Sequence, residues 1–168
     1  MPMEGEEMRE QLNIDEILSE GGKVYIAKIK LSVVREDTGT KRIEISSPED
    51  VANLDFIQSE LISSDREKFI CIHLNIKHVV ISYEVVSIGS LNSSVVHPRE
   101  TLKGAILANA AAIILAHNHP SNCVQPSPED ITVTKRLIEA GNILGIQTLD
   151  HITVGDGKFF SFKEQGLM

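Results

Sequence analysis

Two short runs rich in β-branched apolar residues, Lys68 to His73 and His78 to Ile88, are separated only by Leu74-Asn75-Ile76-Lys77. Runs of this length and composition favour extended chain over helix, and a four-residue connection permits only an antiparallel return. The pattern predicts two adjacent strands at the centre of a sheet. A third buried strand is expected at Ala111 to Ala116, ending at His117. Alternating residues predict a hairpin from Val24 to Leu31 and Arg42 to Ile45 around Thr38-Gly39-Thr40, and a closing hairpin from Ile146 to Val154 and Phe159 to Phe162 around Gly155-Asp156-Gly157.

Helix signals lie between these strands. Ser47 reads as an N-cap with Pro48 at the first helical position, opening a helix to about Ile62. Pro98 opens another to about Asn109, with Leu102, Ile106 and Leu107 on one face. Ser127 starts a third, expected to carry Ile131, Leu137, Ile138 and Leu144 inward and to end at Leu144, with Gly145 as its C′ glycine. The expected class is therefore α/β (α+β): a mixed, mainly antiparallel sheet flanked by helices.

The chain has 168 residues, 42% of them hydrophobic, enough for one well-buried core. The expected organisation is a flexible, acidic arm at residues 1–22 and one domain at 23–168. A net charge of −8 opposes general attraction to a phosphate backbone, so direct nucleic-acid binding is not expected. Cys71 and Cys123 lie far apart with no CxxC spacing, which argues against a disulfide scaffold and for a reducing cytoplasm. The N-terminus lacks the basic start and apolar core of a signal peptide, and no apolar run is long enough to span a bilayer, so no membrane association is expected.

The chemistry concentrates in Ala116-His117-Asn118-His119-Pro120-Ser121-Asn122-Cys123-Val124-Gln125-Pro126-Ser127-Pro128-Glu129-Asp130. Side chains at i and i+2 on an extended chain share a face, so His117 and His119 can reach one ion. Pro120 stops the strand there, and Asp130, in the first turn of the next helix, offers a carboxylate. Two histidines and one carboxylate leave one tetrahedral position of zinc open to water, the arrangement of catalytic sites. Glu84, alone in a run that otherwise reads as buried strand, is the candidate base for that water. Ser47-Pro48-Glu49-Asp50 is an internal control: it repeats Ser127-Pro128-Glu129-Asp130 without a histidine pair, so the tetrapeptide by itself argues only for a cap.

Taken together, an upstream Glu, His-x-His-Pro, seven residues, Ser, and x-x-Asp match the JAMM motif of MPN-domain metalloproteases. Gly89-Ser90-Leu91-Asn92-Ser93-Ser94, His97-Pro98-Arg99-Glu100 and Leu149-Asp150-His151-Ile152 look like its bacterial RadC-like branch, over roughly residues 45 to 168. The resemblance implies a cytidine-deaminase-like MPN/JAB fold and one Zn²⁺ per chain on His117, His119 and Asp130. It further implies Glu84 as general base, Ser127 as an oxyanion donor and a protein or peptide substrate. The expected form is a short one, without the helix-hairpin-helix segment of longer members. Asn122-Cys123 replaces the glycine usual after Pro-Ser, which opens Cys123 to an adventitious role as metal ligand. Asp150 and His151 are expected to form a buried pair that is structural or sits behind the ligands. His73 and His78 are expected to be exposed beside a turn, and His97 to lie near a substrate groove. Two other readings accompany the protease: a non-catalytic MPN interaction module, and a nucleic-acid-processing protein tied to DNA repair by the branch's name alone. Open strand edges leave room for a homodimer.

Overall fold

The computed structural model describes residues 42–89 and 96–168. The expected arm at 1–22, the first strand of the N-terminal hairpin and most of the Gly89-to-Ser94 motif lie outside the described residues.

Among the described residues five strands form one sheet: β1 (Lys68–Leu74), β2 (Val80–Ile88), β3 (Ala112–Asn118), β4 (Gln147–Gly155) and β5 (Lys158–Ser161), in the order β2-β1-β3-β4-β5. The β1/β2, β1/β3 and β4/β5 pairings are antiparallel. β3 and β4 run parallel, because a helix carries the chain from one back to the start of the other. The expected class is borne out.

Helices cover both faces. On one side lie α1 (Pro48–Ala52) and α2 (Asp55–Ile57), the latter continuing into a π-helical turn, Gln58–Ile62. Val51, Leu54, Ile57 and Leu61 of this side pack on Ile70, Ile72, Ile114 and Ile152 of the sheet. On the other side, Leu102 and Ala105 of α3 (Pro98–Leu107) and Leu137 of α4 (Pro128–Leu144) cover Phe69, Cys71, Ile113 and Leu115. β3, buried along its whole length, is the central plank.

Several expectations need correction. Among the described residues β2 is not central but lies at one edge of the sheet, with Ile81, Tyr83 and Ile88 exposed. The helix expected to run unbroken from Ser47 to Ile62 is interrupted at Asn53 and Leu54. Arg42 to Ile45 contributes only an isolated bridge, Glu44 to Val79, flanked by hydrogen bonds of 3.0 Å from Ile45 N to His78 O and 2.9 Å from Val80 N to Ile43 O. In α3 the buried face carries Thr101, Leu102, Gly104 and Ala105, leaving Ile106 and Leu107 exposed. In α4 it carries Asp130, Thr134, Leu137 and Gly141, leaving Leu144 half exposed. His73 is buried against Ser82, Nδ1 to Oγ 2.8 Å, whereas His78 is exposed as expected.

Candidate metal centre

The site forms where the C-terminal end of β3 meets the N-terminus of α4. His117 is the penultimate residue of β3 and points to the α3/α4 face, stacked beside Phe69. Asn118 takes the opposite face. Its Oδ1 accepts from Lys68 N at 2.8 Å and its Nδ2 donates to Arg66 O at 3.0 Å, which pins the strand end between the two histidines. After Pro120 the chain turns back through Asn122, whose φ of 58° supplies the left-handed step that a glycine would otherwise make and that asparagine tolerates best among other residues. Asn122 N donates to His119 O at 2.9 Å, closing that turn.

α4 then delivers Asp130. Ser127 caps the helix: its Oγ accepts from Asp130 N at 3.1 Å, while Asp130 Oδ2 accepts from Ser127 N at 2.7 Å. The Ser127 hydroxyl proton goes to the same Oδ2, at 2.7 Å, so in this state both functions of the hydroxyl serve Asp130 and none is directed to a substrate. The twin tetrapeptide builds the same capping box at α1, with Asp50 exposed and its carboxylate bonded to Ser46 N and Ser47 N. Asp130 is fully buried and its Oδ1 has no partner among the described residues. Identical local chemistry thus ends in solvent at one helix and in a buried cluster at the other.

In that cluster His117 Nε2 and His119 Nε2 lie 3.2 Å apart, and Asp130 Oδ2 is 3.5 Å and 3.4 Å from them. His119 Nδ1 faces Cys123 O at 2.6 Å, and since a carbonyl can only accept, that nitrogen carries hydrogen and Nε2 of the neutral ring is a bare lone pair. Lone pairs and a carboxylate converging in a buried space repel unless a cation lies between them. Hydrogen bonding to Asp130, against burial, raises the His119 pKa to about 8, so a proton can serve as that cation. Burial pushes the Asp130 carboxyl up, but the facing His117 and His119 rings and Ser127 outweigh it and hold the group well below the ordinary carboxylate range. The donors His117, His119 and Asp130, all within 4.8 Å of one another, with an orphaned buried oxygen among them, fit a divalent metal ion.

The family model for the RadC-like JAB domain matches residues 45–167. The chain belongs to the RadC-like JAB family. Among its relatives, a UPF0758 protein of Desulforamulus reducens is 55% identical over 127 residues, 76% of this chain and 55% of that protein. One from Caldanaerobacter subterraneus subsp. tengcongensis is 52% identical over 129 residues, 77% of this chain and 54% of that protein. A third, from Bacillus cereus, is 44% identical over 171 residues, 97% of this chain and 75% of that protein. The RadC-like chain thus spans about half the length of the first two.

Other residues singled out in this RadC-like sequence take defined places. Glu84 opposes Cys71, and Phe69 opposes His117, so Glu84 and His117 share the α3/α4 face on either side of β1. Its carboxylate lies directly on Gly104 of α3, where an added Cβ would sit 2.5 Å from both carboxylate oxygens. Burial raises the Glu84 pKa, Lys103 lowers it and Glu100 raises it further. Cys123 contributes its carbonyl, and its thiol is not part of the cluster. His97 caps α3, its Nδ1 accepting from Arg99 N at 3.2 Å.

Asp150 and His151 do not pair as side chains, because successive residues of β4 face opposite ways. Asp150 accepts from Ser161 Oγ at 2.6 Å, Lys163 N at 3.0 Å and His151 N at 2.7 Å, tying the C-terminal turn to the sheet. His151 lies on the His117 side of the sheet between Phe69 and Phe162, where burial and the neighbouring His117 hold its pKa well below the ordinary value. Thr134 and Thr153 were not singled out in the sequence, yet Thr134 bonds to His151 and Thr153 Oγ1 lies 3.5 Å from His117 Nε2. The helical spacing Asp130, Thr134, Leu137, Gly141 was the available signal for Thr134.

Proposed function

We propose that this RadC-like protein is a zinc-dependent hydrolase acting on peptide or isopeptide bonds. The supporting observation is the separation of the three donors. A tetrahedral zinc with ligand bonds of about 2.0–2.1 Å requires donors about 3.3–3.4 Å apart, and here they stand at 3.2, 3.4 and 3.5 Å. Imidazole nitrogens also discriminate against calcium and magnesium, which take oxygen.

Zinc held there would supply a bound water of lowered pKa and polarise the substrate carbonyl. Glu84 accepts the proton of the attacking water at its carboxylate and returns it to the leaving amine. Partial burial suits it to this exchange, because a raised carboxyl pKa brings it closer to working pH. Ser127 and the capping box hold Asp130, and the Cys123 carbonyl orients His119.

The test is a peptide library together with isopeptide-linked substrates, incubated with the zinc-loaded protein and with Glu84→Gln, and read by mass spectrometry. Cleavage lost by at least about 100-fold in Glu84→Gln, with zinc content unchanged, is the expected result. Equal cleavage by the two proteins, or cleavage of labelled DNA instead, would overturn it.

A further inference from the structure

The second nitrogen of His117 opens a buried chain of hydrogen bonds. His117 Nδ1 lies 2.8 Å from His151 Nε2, and His151 Nδ1 lies 2.6 Å from Thr134 Oγ1. Thr134 Oγ1 is in turn 2.6 Å from the main-chain oxygen of Asp130, one helical turn back. His117, Thr134 and His151 are all fully buried, so water cannot repair a mismatch.

The direction of the chain follows from its last link. A carbonyl oxygen has no proton to give, so the single hydroxyl proton of Thr134 goes to Asp130 O. Thr134 Oγ1 must then accept at His151, which places hydrogen on His151 Nδ1. His151 Nε2 is left as acceptor and His117 Nδ1 as donor, so His117 Nε2 is bare and faces the cluster. We infer that Thr134 and His151 are positioning residues that select the tautomer of His117, so that the main chain of one metal ligand, Asp130, sets the lone pair of another. His119 receives the same tautomer independently, from the Cys123 carbonyl.

The inference deepens the metal reading, but it can be tested without metal. In the metal-free wild type, long-range ¹H–¹⁵N spectra should show His117 and His151 as Nδ1–H tautomers. Thr134→Val keeps the shape and removes the acceptor. His151 then relieves its buried N–H by moving hydrogen to Nε2, which drives His117 to the Nε2–H form. Zinc affinity measured by chelator competition should weaken by about 10–100-fold. Thr134→Ser should restore both readouts, and His151→Gln, which can still accept from His117 and donate to Thr134, should keep most of the affinity. An Nε2–H form of His117 in the wild type would overturn the inference, as would a folded Thr134→Val with wild-type tautomers and affinity. Correct tautomers without zinc binding would leave the relay standing and refute the metal reading. Zinc binding indifferent to the tautomer would do the reverse.

Discussion

Replacing Asp130 by asparagine and, separately, Asp50 by asparagine makes one chemical change in two copies of one tetrapeptide. Both substitutions keep an oxygen that can accept from the serine N–H, and both remove a negative charge from a helix N-terminus, worth about 0.3–1 kcal/mol. Asp50 is exposed, so Asp50→Asn should cost about that much. Metal-free Asp130→Asn should cost more than that, because Oδ2, the atom that accepts from Ser127 N and Oγ, is also the one facing the two rings at 3.4 and 3.5 Å, so an amide oxygen kept there for the serine gives up the attraction to a protonated His119. Zinc separates the two. At a free concentration about a thousand times Kd, binding stabilises a native state by about 4 kcal/mol, or roughly 12 °C in Tm at about 3 °C per kcal/mol. Differential scanning fluorimetry with zinc against chelator should show that shift in wild type and Asp50→Asn, and at most 1–2 °C (about half a kcal/mol) in Asp130→Asn. Equal shifts in the two variants would refute the argument, as would no shift in the wild type.

Two further outcomes are expected. Gly104→Ala places a methyl 2.5 Å from the Glu84 carboxylate, which must withdraw by about 1 Å to reach ordinary contact. The displaced atoms end a flexible side chain and alanine gains helix propensity, so stability should stay within about 1 kcal/mol of wild type while turnover falls about 100-fold; unchanged turnover would remove Glu84 from the chemistry. His73, which burial lowers from 6.5 to about 4, is neutral in the fold while the unfolded chain takes a proton first as pH falls. Its stabilising contribution is therefore complete above pH 6.5 and is lost as pH drops towards 4, by up to about 3 kcal/mol at 1.4 kcal/mol per pH unit. Urea titrations at pH 7 and pH 4.5 should show a smaller acid loss in His73→Leu than in wild type.

The elements that were legible in the sequence are those whose signal is local. β1, the N-caps Ser47 and Ser127, the terminator Gly145 and the closing hairpin depend on a few neighbouring residues. Reading the faces of α3 and α4 from apolarity alone misplaced Ile106, Leu107 and Leu144, because their buried stripes are built in part from Thr101, Gly104, Asp130, Thr134 and Gly141. Small and polar residues lie inward there because the helices approach the sheet closely and carry the site.

The sequence by itself determined that His117 and His119 share a strand face and that Asp130 opens a helix, since spacing and backbone periodicity require it. It also held two copies of one capping tetrapeptide and could not say which was special. Only the tertiary structure decided that, by placing the N-terminus of α4 in the buried corner beside β3 and that of α1 in solvent. It also decided that Asp150 and His151, neighbours in the chain, serve opposite faces of the sheet, and that Thr134 reaches His117 through a ring 34 residues away from it in sequence. Contacts of that kind are set by how strands are ordered and helices laid across them, which no local pattern encodes.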